Sequence, residues 1–347
     1  MEPPRRPTDY PSDLTESQWK LIEDLVPKIG IGPMTPKYNR HDVVNAIMYR
    51  LRTGCPWRSL PSDFPEWSTV AKYYGAWNKA GVWDRILEQI RGSIRRLEGR
   101  DVEPSLAIVD SQSAKTTAGT PSKSRGFDAG KKVKGRKRHI AVDILGLLLA
   151  VSVTAASVQD RDATTELFAR ARSKSARLVK VLADSAYNGE VVALAASASR
   201  VEVEIVKRSD DRPGFVPIPK RWVVERTFGW FNYDRVLAKD YEHTTASAEG
   251  WVKLAGIYQM AKRWVYASHV QFNTLSEREA RATRELNDPS LPPDGEKREA
   301  GVVRVERRLG VDELERGVGG RRAARDLKGD RPALGIAVRE QVPREVL

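Results

Sequence analysis

"PSLAIVDSQSAK", residues 104–115, decides how the chain reads. Leu106 to Val109 have the composition of a buried β-strand, yet the run ends on a carboxylate, Asp110, followed by Ser111-Gln112-Ser113. Ionised side chains are almost never buried unless paired or bound to a cation. Asp110 is therefore either a turn or cap residue closing the strand, or one member of a charged site whose other members lie elsewhere in the chain.

Outward from this strand the apolar pattern keeps changing period. "HIAVD" (139–143) and "LLLAVSVTA" (147–155) read as a hairpin turning at Ile144-Leu145-Gly146. "DATTELFARARS" (162–173) has helical spacing, "RLVKVLAD" (177–184) is a strand and "YNGEVVALAAS" a helix. "VEVEIVK" (201–207) is a strand and "KRWVVERTFGWFNYDRVLAK" (220–239) a helix. Three strands, helix, strand, helix, strand, helix is the order of an α/β fold: a mixed sheet with helices on its faces.

Two of these strands end in aspartate, Asp110 and Asp184, after apolar runs of similar length. In α/β sheets ligands collect beyond strand ends, so the two carboxylates can converge. Glu225 sits on the following helix amid Trp222, Val223, Val224 and Phe228, where a buried carboxylate is costly without a cation. Singly, Asp184 can close a turn with Ser185 and Asn188, and Glu225 can pair with Arg226 or Arg221. Together they form a hard all-oxygen donor set suited to Mg²⁺ or Mn²⁺. A pair of such ions serves in-line displacement at phosphorus.

The segment "KSRGFDAGKKVKGRKRH" after Asp110 reads as a basic, glycine-bearing loop. Lys131, Lys132, Lys134, Arg136, Lys137 and Arg138 are its candidate phosphate contacts. Arg221, Arg226, Arg235 and Lys239 surround Glu225, with Trp230 and Tyr233 offering faces for base stacking or core packing. Residues 14–98 read as helices. Thr15 and Gln18 have capping-box spacing, a second helix covers 41–54, and Ser68 stands where a third would be capped. Lys72 and Lys79 lie on the outer side of that third helix. The arrangement fits either a helix-turn-helix DNA reader or a plain helical subdomain.

The bulk numbers agree with a polyanion partner. The chain has 347 residues, 59 Lys+Arg against 46 Asp+Glu, and a formal charge of +13. No apolar run approaches the length of a membrane span, the N-terminus has no secretory pattern, and a single cysteine, Cys55, points to a reducing cytoplasmic setting. From Glu277 to Leu347 there are 16 Lys and Arg against 15 Asp and Glu, and no aromatic residue follows Phe272. This predicts a low-order tail over 269–347. The expected organisation is a disordered 1–13, a helical DNA-binding domain over 14–100, a catalytic domain over 101–268, and the tail.

"AIVDSQS", "GFDAGKKVKGRKRHIAVD", "LADSAYNG", "EIVKR" and "RWVVERTFGWF…LAKDYE" resemble the insertion-sequence transposases of the DDE class, family five in the four/five cluster. "LTESQWKLIEDLVP…RLRTGCPWRSLP" is similar to the N-terminal helical domain of that group. The resemblance covers about residues 12–265. It implies an RNase H-like core with Asp110, Asp184 and Glu225 as catalytic triad and metal ligands. It also implies double-stranded DNA as partner, a homodimer when ends are synapsed, and no nucleotide cofactor. The implied activity is cutting of element ends and joining of freed 3′ hydroxyls to target DNA, in the bacterial cytoplasm at the nucleoid. A nuclease without strand transfer and a catalytically spent, DNA-binding repressor are the alternatives. The chain departs from the family pattern at Ser185-Ala186-Tyr187, where small glycine-rich residues are expected, at Val236, where relatives tend to carry a second arginine, and in the tail.

Overall fold

The structure, a computed structural model, describes residues 3–7, 9–28, 37–206 and 222–286, with side chains to residue 268. The tail beyond Leu286 lies outside the described residues.

Four helices come first. In α1 (Glu16–Ile22) the Gln18 amide donates to the Thr15 hydroxyl, and the Gln18 side chain accepts from the Thr15 amide, the reciprocal cap that the spacing predicts. α2 (Arg40–Thr53) is capped by Asn39 and stops at Gly54, whose φ of +69° only glycine adopts without strain. α3 (Trp67–Lys79) is capped by the Glu66 carboxylate accepting from the Thr69 amide, not by Ser68, which lies inside the helix. α4 (Val82–Leu97) completes the set.

The sheet is built from β1 (Leu106–Lys115), β2 (Gly126–Asp128), β3 (Val133–Val142), β4 (Leu148–Ala155), β5 (Lys180–Ala183) and β6 (Glu202–Ile205). Their order is β2-β3-β1-β5-β6, with β4 also paired to β3. β1 runs antiparallel to β3 and parallel to β5, and β5 is parallel to β6. The hairpin turn between β3 and β4 is held by Asp143, whose carboxylate accepts from the Leu145 and Leu147 amides. α5 (Thr164–Ser173) and α6 (Glu190–Ser199) cover one face, where Ala107, Val109, Val181 and Ala183 meet Leu167, Phe168, Val192 and Ala195.

The other face, carrying Ile108, Ile140, Val142 and Leu182, lies under α7 (Trp222–Phe231) and α8 (Thr245–Leu286). Residues of α1–α4 belong to this same core. The Tyr74 ring stacks on Trp251 at 4.5 Å, and its hydroxyl donates to the Ser247 carbonyl at 2.6 Å. The helices expected to form a separate domain over 14–100 thus share one core with the sheet. Apolar area that four short helices cannot bury among themselves is buried against α8 instead.

Three further expectations change. Residues 1–13 were expected to be disordered, but Arg6 is buried among Asp13, Asp42 and Asp63, and Tyr10 stacks on Phe64 at 5.1 Å. The helix read over 220–239 ends at Phe231, and a 3₁₀ turn, Arg235–Leu237, follows. α8 continues to Leu286, beyond the boundary expected near 268. Among the described residues no helix is long and apolar enough to cross a membrane.

One ion pair ties α2 to the connection between α7 and α8. Arg52 donates to Asp234 at 2.7 Å, and the Asp234 side chain is fully buried. Burial pushes its carboxyl up to about 6, against the opposing pull of Arg52. A carboxyl whose folded pKa is raised contributes stability that is present below its unfolded value and is lost as pH rises through the folded one. Stability is therefore expected to fall by about 2–3 kcal/mol between pH 4 and 6.5 from this group. Asp234→Asn should remove that slope in denaturant melts across the window; an unchanged slope would assign it to other groups.

Candidate active site

β1 is longer than its sequence suggested. It continues to Lys115, so Asp110 lies within the strand, still paired to Ile140 of β3, while parallel pairing with β5 stops at Ile108. The register with β5 is Leu106↔Lys180, Ala107↔Val181, Ile108↔Leu182. Carried two residues further, it would set Asp110 level with Asp184, the residue that follows β5. Adjacent strands are about 4.8 Å apart. By strand alternation Asp110 projects to the face of Ile108 and Leu182, the face beneath α7.

Both aspartates are half-buried. One Asp110 oxygen accepts from the Ser111 amide at 2.7 Å, and one Asp184 oxygen accepts from the Ala186 amide at 2.9 Å. Tyr187, whose ring is fully buried, brings its hydroxyl into the field of Asp160, Asp110 and Asp184. Burial first, then those three charges, hold the phenol well above its ordinary pKa and so protonated. Tyr187 lies within the "LADSAYNG" stretch, three residues after Asp184, but its residue type does not mark it as part of a site.

Glu225 is on α7, which packs against β1 and β3, but it is exposed, not buried as its apolar neighbours suggested. Val224 and Phe228 take the inward face. Among the described residues, no three His, Cys, Asp or Glu side chains gather closely enough to hold one ion. The arrangement is a pair of carboxylates with a third on the helix above them. Two adjacent hard oxygen donors fit a divalent cation such as Mg²⁺ or Mn²⁺, which completes its shell with water and phosphate oxygens.

The basic segment is not a loop. It forms β2 and β3, and only part of it faces water. Lys131, Lys132 and Lys134 are exposed, as expected of phosphate contacts. The Lys131 ammonium donates to the Ser111 carbonyl at 2.9 Å, one residue from Asp110. Arg136, Lys137 and Arg138 are buried and carry structural bonds, which corrects their assignment to DNA. The guanidinium of Arg136 reaches the Asp240 carboxylate at 3.2 Å and the carbonyls of Ser124, Glu242, His243 and Thr244. Arg138 donates to the Leu237 carbonyl at 2.8 Å, and burial lowers its pKa to about 10. Lys137 lies between Asp160 at 3.2 Å and Asp128 at 3.5 Å. Burial raises the Asp128 carboxyl, but the Ser113 hydroxyl, the Lys131 amide and the two lysines outweigh it, giving about 2. A period-2 reading of "VKGRKRHIAV" was available in the sequence, masked by its charge.

Arg226 lies between two rings of its own helix, 4.3 Å from Trp222 and 4.7 Å from Trp230, and donates to the Leu145 carbonyl. Arg235 and Lys239 lie beyond the end of α7, Arg235 exposed and Lys239 half-exposed. Val236 is buried. Lys72 and Lys79 are exposed on α3. Arg221 lies outside the described residues.

Comparison with known proteins matches residues 14–87 to the family described as "Putative transposase of IS4/5 family" and residues 102–260 to "Transposase DDE domain". The chain is similar to "Uncharacterized protein y4sN" of Sinorhizobium fredii, with 31% identity over 74 residues. That match covers 21% of this chain and 59% of the relative's length, so the chain spans under two thirds of that protein. It is also similar to "Insertion element IS402 uncharacterized 16.2 kDa protein" of Burkholderia cepacia, with 30% identity over 111 residues, 29% of this chain and 71% of that protein.

Proposed function

We propose, from the premise that this chain belongs to the IS4/5 family of transposases, that it binds the ends of its own insertion element, cuts the phosphodiester backbone there and joins the freed 3′ hydroxyl to target DNA. What supports this reading is the parallel register of β1 and β5, Ile108↔Leu182, which leads two residues on to Asp110 and Asp184, with Glu225 on the helix packed against β1.

Asp110, Asp184 and Glu225 would hold Mg²⁺ or Mn²⁺, as a pair of ions. When bound, such ions polarise the phosphoryl group and stabilise the attacking and leaving oxygens. The chain's own residues supply the frame. Backbone amides at Ser111 and Ala186 orient one oxygen of each aspartate. Tyr187 stays protonated beside them, a neutral donor where a further charge would add repulsion. Glu225, exposed on its helix, is accessible to incoming DNA and approaches the pair in the complex. Lys131, Lys132 and Lys134 contact phosphates from the opposite edge of β1, and Lys72 and Lys79 on α3 contact element ends. Synapsis of two ends calls for a homodimer, and no nucleotide cofactor is needed for this chemistry. The setting that fits is the cytoplasm, at the nucleoid.

The test is incubation of the purified chain with labelled duplex carrying the DNA that flanks its own gene, with and without Mg²⁺. Nicks at the element boundary and joined products are expected only with the ion. Nicks without joined products would reduce the protein to a nuclease, and binding without nicks under any divalent ion would leave a DNA-binding repressor.

A further inference from the structure

The connection between α7 and α8, Asn232 to Thr244, reads "NYDRVLAKDYEHT" and carries three acidic residues against Arg235 and Lys239. By composition it would repel DNA. The fold sorts these charges by direction. Asp234 is fully buried on Arg52 of α2, Asp240 is all but buried on Arg136 of β3, and Glu242, 15% exposed, is held by Arg50 of α2 at 3.2 Å. Every acidic side chain of the segment is turned inward and neutralised. Left outward are Tyr233, 69% exposed, Tyr241, 59% exposed, and the two cations, with the Lys239 ammonium 5.5 Å from the centre of the Tyr241 ring.

The segment is irregular yet tied along its length. Besides the three ion pairs, the Leu237 carbonyl accepts from Arg138 and the Asp240 amide donates to the Lys115 carbonyl at 2.8 Å. The C-terminus of α2 presses on it so closely that a Cβ at Gly54 would stand 3.1 Å from the backbone of Arg235. A surface fixed this way loses little conformational entropy on binding. Exposed Lys115 and Lys134, at the neighbouring strand ends, extend the same sign of charge. Arg138 links the segment to Gln112 of β1, two residues along the strand from Asp110, which sets it about 7 Å along the strand from the carboxylate pair.

We propose that this strap is a preformed docking surface for the sugar–phosphate backbone of duplex DNA flanking the cut. Arg235 and Lys239 meet phosphates, and the hydroxyls of Tyr233 and Tyr241 donate to them. The inference rests on the transposase reading for its substrate, but not for its test. Two double variants separate the contributions, Arg235→Gln with Lys239→Gln, and Tyr233→Ala with Tyr241→Ala. The probes are the duplex flanking the gene, an unrelated duplex of equal length, and the single strand, each titrated over a range of salt.

The cation pair should bind both duplexes roughly tenfold more weakly, and its slope of log affinity against log salt should be shallower by about 1–2. The tyrosine pair should weaken both duplexes several-fold with the slope unchanged, and both variants should melt with the wild type. Unchanged affinity and slope in the cation pair would overturn the proposal, and so would losses confined to the single strand. If wild-type protein binds duplex but never cuts with Mg²⁺, the transposase reading fails while the strap is still tested. If it cuts and the variants bind normally, only the strap fails.

Discussion

Asp110→Asn and Asp184→Asn are each expected to lower Mg²⁺-dependent cutting of element ends by about 10³-fold or more, with duplex binding nearly unchanged. The amide keeps the shape of the carboxylate and removes the charge that binds a hard divalent ion. An interaction worth several kcal/mol in the transition state is a thousandfold in rate. A second readout separates this from misfolding. Carboxylates brought close together repel, so in chelator the melting temperature of either variant should equal or exceed that of the wild type. Glu225→Gln should lose as much cutting with no change in melting, because Glu225 is exposed. A variant of any of the three that cuts at near wild-type rate would remove that residue from the site, and a joint loss of melting temperature and cutting would indicate a structural cause.

Arg136→Met should be the most damaging change among the basic residues of β3, costing about 3–5 kcal/mol of stability. The substitution leaves Asp240 almost fully buried without its cation and strands the carbonyls of Ser124, Glu242, His243 and Thr244. Lys134→Gln, two residues away and exposed, should leave the denaturant midpoint within about 0.5 kcal/mol of wild type and show its effect in the salt dependence of DNA binding. Equal stability of the two variants would mean that Arg136 is not the clamp its bonds describe.

This contrast marks where sequence reading stopped. The aspartates were legible because each follows an apolar run and so declares a strand, and the α/β order followed from the same periodicity. The helix caps at Thr15 and Gly54 were legible because short-range spacing determines them. Arg136 and Arg138 were not, since a cation's burial depends on partners about a hundred residues away. Charge density in "KKVKGRKRH" looked like solvated loop, whereas alternate residues point into two cores. Glu225 failed in the other direction. Its neighbours are apolar, but helical rotation carries it to the outside. The docking of Arg6 on Asp42 and Asp63 likewise joins positions that no local pattern connects.

The stacking of Tyr74 on Trp251 also has a consequence in time. The hydrogen bond beside it, from Tyr74 of α3 to Ser247 at the start of α8, joins residues 173 apart in the chain. At a synthesis rate of about 5–20 residues per second, the helices of the N-terminal part leave the ribosome roughly 10–35 s before the surface that covers them exists. During that interval Trp77, Trp83 and their apolar neighbours have no place to be buried, and the chain is a client for whatever holds nascent proteins apart. Nascent chains shorter than about 260 residues should accordingly be protease-sensitive throughout, with protection of the first helices appearing in one step when Trp251 and Tyr258 emerge.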